Sequence, residues 1–380
     1  MTPSTPAART PRAIFDTGAA QATGSVPAMA AACACETPRR GFLAGLLAAG
    51  ANTVLPGCGA PVTSAADTGL AGRQRIDMHH HLFAPSHLAA MEKAGEAFPA
   101  ARNWSLARTL DDMEKAGVAT SVLSAASTHV AFLPAADARR IARESNEWAA
   151  QLRRDHPGRF GSFAMLPMHD TDSALREIEY ALDVLKADGI GLPTNYGDKW
   201  LGHASFAPVM DELNRRKAVL YTHPAAANCC RNLQPEVPTT VVEFGTDTTR
   251  TIVDIVFSGT AARCPDLRFI FSHAGGTLPF LTERLVKMPL LDPKLAPRVP
   301  RGVLFELKRF YYDTAWAANP MALGSLTRLV DASQILFGTD YPYRTGADNV
   351  KGLQEYGFTP SELRAIERDN ALRLLPRLNT

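Results

Sequence analysis

Four strand-like stretches of this chain each stop on a metal-ligand residue type, and they come in the order expected around the rim of an eight-stranded α/β barrel. The first, Arg75 to His81, carries His79 and His81 two residues apart. Period-two alternation therefore puts both imidazoles on one strand face and turns His80 to the other. The second runs from Ala218 to His223, the third from Leu267 to His273, and the last from Gln334 to Asp340. A lone His-x-His pair constrains little. Separate apolar runs that each end on His or Asp constrain far more, because the carboxyl ends of barrel strands are where such folds keep their chemistry.

Beyond residue 71, strand-like and helix-like blocks alternate, the pattern of repeated βα units around a parallel sheet. After the strand at 75–81, further strands are expected at 118–125, 160–168, 189–194, 218–223, 267–273, 310–314 and 335–340. Helices are expected at 105–117, 135–156, 173–187, 206–216, 248–258, 321–330 and 359–375. The predicted fold is a (β/α)8 barrel that takes residues 71–380 as one domain. Asn228 to Pro238 reads as an irregular loop directly after His223, where barrels place substrate lids. Cys229 and Cys230 fall in it as small loop fillers. His80 is assigned to packing or support of the site, while His87, His129, His156, His169 and His203 lie in loops or at element ends and are expected mostly to face solvent.

Residues 1–70 are rich in Ala, Thr, Pro and Gly and lack apolar periodicity, which reads as a targeting segment and linker. Arg39-Arg40 followed by an apolar stretch to Val54 resembles a twin-arginine export signal, too short to span a bilayer. Leu55-Pro56-Gly57-Cys58 resembles a lipoprotein box, with Cys58 as the lipid-bearing residue and Met29 as a candidate translation start in place of Met1. The expectation is an exported protein, periplasmic or tethered to a membrane. A net charge of +2 gives no electrostatic case for nucleic acid, so a small molecule is the expected partner.

Imidazole and carboxylate ligands drawn from different strands suit Zn²⁺, Mn²⁺ or Fe²⁺, and three or four of them leave a position open for water or substrate. Cys229, Cys230 and Cys264, the cysteines outside the leader, lack the spacing of a structural zinc site. Asp340 closes a buried strand, so its carboxylate needs a cation or donor to offset desolvation.

The segments IDMHHHLFAP (76–85), YTHP (221–224), FSHAGGTLPFLTER (271–284) and FGTDYPY (337–343) resemble the amidohydrolase-related family typified by aminocarboxymuconate semialdehyde decarboxylase. The likeness spans residues 73 to 378. DHPGRFGSFAMLP (155–167), ELNRRKAV (212–219), TNYGDKWLG (194–202) and the Cys229-Cys230 pair bring it nearest to members of the 6-methylsalicylate decarboxylase type. The resemblance implies one divalent metal, Zn²⁺ first and Mn²⁺ second, on His79, His81, His223 and Asp340. It implies His273 as the acid/base residue and Arg284 as a grip on a substrate carboxylate across a homodimer interface. The family's further substrate arginine lies in an insertion after the first strand; this chain is shorter there, and Arg102 is the candidate stand-in.

The expected reaction is non-oxidative decarboxylation of a small aromatic, salicylate-like acid or a related unsaturated acid, with Asp340 or His273 donating the proton to the ring carbon. Phe83, Trp104, Trp200, Trp316 and Tyr343 are candidate pocket walls. Two other functions remain open on sequence alone: metal-dependent hydrolysis of an ester, lactone or amide with His273 as general base, and non-catalytic ligand binding by a lipoprotein.

Overall fold

A computed structural model describes residues 74–126, 129–230 and 233–379. The leader, with its arginine pair and Cys58, lies outside the described residues. Eight parallel strands follow one another around a single sheet: β1 (Arg75–His81), β2 (Val118–Ser124), β3 (Phe160–Met165), β4 (Gly189–Pro193), β5 (Val219–His223), β6 (Arg268–Phe271), β7 (Tyr311–Asp313) and β8 (Ile335–Leu336). Each pairs with its sequence neighbour. The ring is closed by residues just beyond β8, since Met78 N donates to Phe337 O and Asp340 N to His79 O, each at 2.9 Å. The (β/α)8 expectation holds. The eighth strand's ladder to β7 is shorter than expected because beyond Leu336 the chain leaves it, Phe337 N donating to Ile366 O, Thr339 N to Asp77 and Asp340 N to His79 O.

Helices return the chain between strands: α1 (Leu106–Lys115), α2 (Ala135–Asp155), α3 (Thr171–Glu179), α4 (Ala207–Arg215), α5 (Glu243–Phe257), α6 (Leu278–Leu291) and α7 (Pro320–Leu329). Side chains start several of them. Ser105 accepts from Arg108 N, Asp170 from Ser173 N, and Asn319 from Met321 N and Ala322 N, satisfying donors that a first turn leaves unpaired. Two differences from the sequence reading stand out. Helix α5 begins at Glu243 rather than 248. Helix α6 was not anticipated, because its outward face is itself apolar and Pro289 interrupts it: Phe280, Leu290 and Leu291 are all strongly exposed, so no amphipathic stripe marks it.

The core has two shells. Ile76, Met78, Val122, Phe163, Val219, Tyr221, Ile270 and Leu336 fill the barrel, with Leu374 and Leu378 below them. Leu123, Ile190, Leu192, Leu220, Phe269, Phe271 and Phe337 face the helices. Strand β5 shows the simple alternation, with Val219, Tyr221 and His223 inward. Strand β1 does not. Its register to β2 is irregular between Asp77 and His80, and this slip lets Ile76 and Met78, and then His79 and His81, all take the interior. A strict period of two from Ile76 would have turned His80 inward instead.

Candidate metal centre

At the carboxyl end of the barrel, β1, β5, β6 and the segment after β8 bring five side chains to one buried point. His79, His223, His273 and Asp340 each offer a ligand atom, and these atoms all lie within 4.8 Å of one another. His81 joins them, its Nε2 2.7 Å from Asp340 Oδ1. The same carboxylate oxygen lies 3.1 Å from His79 Nε2 and 4.0 Å from His223 Nε2, while Asp340 Oδ2 lies 3.4 Å from His273 Nε2. The rings of His79, His81 and His223 meet edge to face at 4.7 to 5.2 Å between centroids. All of the sequence-chosen ligands and the acid/base candidate are therefore brought together.

The proton positions suit a cation. His79 Nδ1 donates to Asp313 Oδ2 at 2.8 Å, and His223 Nδ1 to the Pro224 carbonyl at 3.0 Å, so each ring turns Nε2 toward Asp340. Burial lowers the His81 pKa against the pull of Asp340, and it drives His223 well below the ordinary value, with charge on His81 and His79 adding to the effect. At His79 burial is overcome by Asp313 and Asp340, which lift the imidazole to about 10. Burial alone would raise Asp340, yet His79 and hydrogen bonds from His273, His79 and His81 hold its carboxyl well below the usual range. Buried neutral imidazoles, one histidine protonated only by the carboxylates around it, and an ionised Asp form a donor set that fits a divalent cation. Such an ion takes the place of the His79 proton.

Two supporting residues, Asp313 and Asp77, escaped the sequence reading of the ligand set. Asp313, at the end of β7, accepts His79 Nδ1–H on one oxygen and the backbone N–H groups of His273 and Ala315, both at 3.0 Å, on the other. Its signal was present, since β7 is another apolar run that stops on Asp. Asp77 accepts from the backbone N–H and hydroxyl of Thr339 and lies 2.9 Å from His80 Nδ1, tying β1 to the segment that carries Asp340. His80 stacks on Tyr341 and points away from the centre, as the His79–His81 spacing implied. Trp316, expected as a wall, donates Nε1–H to Asp340 Oδ2 at 2.6 Å while its ring is half exposed. Gly338 allows the close approach: a Cβ there would meet His79 Cβ at 2.8 Å and Asp313 Cβ at 3.1 Å.

Beside His81 lies an aromatic wall. Tyr343 meets the His81 ring edge-on at 5.5 Å, Phe83 lies tilted to it at 6.5 Å, and Trp104 stands against Phe83 at 6.3 Å. Tyr343 Oη and Trp104 Nε1 are buried with no hydrogen-bond partner among the described residues. Trp200 instead donates to Asp247 at 2.8 Å. Arg102 is half exposed, 4.0 Å from Glu92, and Arg284 is exposed on α6, so neither reaches the centre within this chain. His169 and His203 are exposed, but His87 and His129 correct the expectation of solvent exposure, being fully buried. His87 Nε2 donates to the His129 carbonyl at 2.8 Å. Burial pushes the His129 imidazole down to about 3, with His87 and His81 adding to the effect. A cleft lined by Arg153, Lys186, Asp188 and Arg377 lies at the opposite, amino end of the strands, away from this chemistry.

A family described as Amidohydrolase matches residues 76–377. Decarboxylase yanB of Aspergillus niger is 37% identical over 325 residues, covering 80% of this chain and 88% of that protein. The 6-methylsalicylic acid decarboxylase of Penicillium expansum is 33% identical over 314 residues, covering 80% and 97%. A dihydroxybenzoic acid decarboxylase from Polaromonas, solved with manganese and 2-nitroresorcinol bound, shares the fold with a TM-score of 0.72 at 22% identity, over 81% of this chain and 98% of that one.

Proposed function

We propose, from the premise that this chain belongs to the amidohydrolase family, that it is a metal-dependent carboxy-lyase that removes carbon dioxide without oxidation from a small aromatic, salicylate-like acid. One observation carries the reading: the buried meeting of His79, His81, His223 and Asp340 beside His273, in a chain about a third identical to decarboxylases over four-fifths of its length. Those four side chains would hold a divalent ion, Zn²⁺ or Mn²⁺, which would supply positive charge to attract the substrate carboxylate and offset charge developing on the ring. The protein does the rest.

Phe83, Trp104 and Tyr343 offer a flat apolar wall for the ring and exclude water from it. When the carbon–carboxylate bond breaks, its electron pair stays on the ring carbon and carbon dioxide leaves, so a proton must be delivered to that carbon. Asp340 is held as a carboxylate by the donors around it, which makes it a poor acid. His273, 3.4 Å from Asp340 Oδ2 and less buried than the other histidines of the cluster, is the better proton carrier.

The assembly belongs to the same proposal. Arg284 grips the substrate carboxylate from a second copy of the chain, and the apolar outer face of α6, with Phe280, Leu290 and Leu291, supports a homodimer that covers it. Export by the twin-arginine route and a lipid on Cys58 rest on the leader sequence, and fractionation of expressing cells tests them: a full-length cytosolic product refutes both. The reaction is tested by incubating metal-loaded protein with salicylate-like acids in D₂O. Carbon dioxide and one ring deuterium at the former carboxyl position are expected. Turnover of an ester or lactone with no acid consumed would establish a hydrolase instead.

A further inference from the structure

His129 is a buried imidazole that the proposed reaction leaves without a task, and unlike its neighbour His87 it has neither ring nitrogen engaged. It is 1% exposed, and both ring nitrogens lack a hydrogen-bond partner among the described residues. A core histidine kept for packing satisfies at least one nitrogen, because an unmet buried polar atom costs about 1–3 kcal/mol. Its backbone is held in place, with its N–H on the Ala126 carbonyl and its carbonyl accepting from His87. The conformation is also costly, with φ at 52°. Seven non-glycine residues among those described have positive φ, and three others of the seven, His273, Trp316 and Asp340, stand at the centre itself. His129 shares that signature.

The ring lies against the inner face of β4. A Cβ on Gly191, whose side of β4 faces the interior, would meet His129 Cε1 at 3.5 Å. Gly191 pairs with Tyr221 on β5, and the Tyr221 ring lies 5.4 Å from His79 and stacks on Phe163. The metal ligands come from β1, β5 and the segment after β8, whereas His129 enters from the loop after β2 and sits over β4. His129 thus approaches from a side of the barrel that supplies none of the ligands.

We propose that His129 is a specificity residue that hydrogen-bonds an oxygen substituent on the ring edge away from the metal ligands, so that this chain prefers an ortho-hydroxybenzoate bearing one further hydroxyl. An imidazole with one N–H and one bare nitrogen can donate to a hydroxyl or accept from it, and a ring hydrogen or methyl group at that edge can do neither. A site built around such a group discriminates against the analogue that lacks it, because the protein's own polar atom is then left unpaired. The inference rests on the proposed site and substrate class.

The test uses metal-loaded protein with salicylate, 6-methylsalicylate and the four dihydroxybenzoates that keep an ortho hydroxyl, measuring kcat and KM and, separately, Kd by quenching of tryptophan fluorescence. The wild type is expected to favour one dihydroxy acid over salicylate by about tenfold or more. His129→Phe keeps the ring volume and removes both nitrogens. It should erase that preference by raising KM and Kd for the favoured acid alone. His129→Gly, a residue at home at positive φ, removes the ring altogether and should do the same, which keeps the test open if the Phe variant folds poorly. A wild type that binds salicylate or 6-methylsalicylate better than every dihydroxy acid overturns the inference, as does a His129→Phe variant that weakens all the acids equally. If no acid is decarboxylated, the Kd pattern still decides the role of His129, so loss of the decarboxylase reading and loss of this one are read separately.

Discussion

Replacing Asp313 by Asn keeps the side chain's shape but removes its charge and exchanges one acceptor oxygen for a donor. Asp313 Oδ1 accepts the backbone N–H groups of His273 and Ala315, and an Asn side-chain oxygen can keep both bonds. The amide NH₂ then faces His79 Nδ1, where a carboxylate oxygen now sits at 2.8 Å. Two donors cannot share that contact, so the His79 proton is driven to Nε2, the nitrogen directed at Asp340. A charge-assisted hydrogen bond of about 1.5–3 kcal/mol is lost, and the ligand atom carries a hydrogen in place of a lone pair. Residues that orient a ligating histidine in this way are worth about 10- to 100-fold in metal affinity. Competition against a chromogenic chelator should show Asp313→Asn binding Zn²⁺ or Mn²⁺ weaker by that factor, with a metal-stripped melting temperature near wild type. Asp313→Ala should in addition lower the melting temperature, because it leaves two buried N–H groups without their acceptor. An Asn variant with wild-type metal affinity and full turnover would refute the argument that Asp313 sets the His79 tautomer.

Gly338→Ala places a methyl group 2.8 Å from His79 Cβ; overpacking of about 1–3 kcal/mol in stability and a clear drop in metal content are expected from calorimetry and elemental analysis, and a normally loaded variant would contradict the close approach. Trp316→Phe removes the donor to Asp340 Oδ2 from a half-exposed ring, so kcat/KM should fall about tenfold while the melting temperature barely moves; unchanged kinetics would deny the indole its positioning role. In metal-stripped protein His79 is raised from 6.5 to about 10, so its stabilising charge is complete below about pH 6.5 and is lost as pH rises toward 10. Melting curves of stripped protein should decline across that window while those of loaded protein do not, and a level stripped series would contradict the shift. Finally, mixing His273→Ala with Arg284→Ala subunits should restore activity absent from either variant alone, and an inactive mixture of confirmed hybrid dimers would place Arg284 outside the partner's site.

The ligand set was legible because His81, His223 and Asp340 each end an apolar run, and the two-residue spacing of His79 and His81 puts that pair on one face. The architecture was legible for the same reason, through repeated βα spacing. What the sequence concealed depends on departures from regularity. The register slip in β1 that brings His79 and His81 inward after Ile76 and Met78 leaves no mark in a period-two pattern. His273 follows Ser272 out of a regular strand and is redirected by left-handed conformations at His273 and Ala274. Helix α6 lacked an amphipathic stripe because its solvent side is apolar. His129 looked like a loop histidine, and its burial depends on a backbone conformation that residue type does not announce.

Anomalous diffraction from crystals grown with Zn²⁺ or Mn²⁺ reads the central claim directly. The account predicts one peak per chain at the carboxyl end of the barrel, about 2.0–2.2 Å from a nitrogen of each of His79, His81 and His223 and from an oxygen of Asp340. A fully loaded crystal whose peak lies elsewhere, or whose ion leaves any of those four side chains uncoordinated while His273 binds in its place, would contradict it.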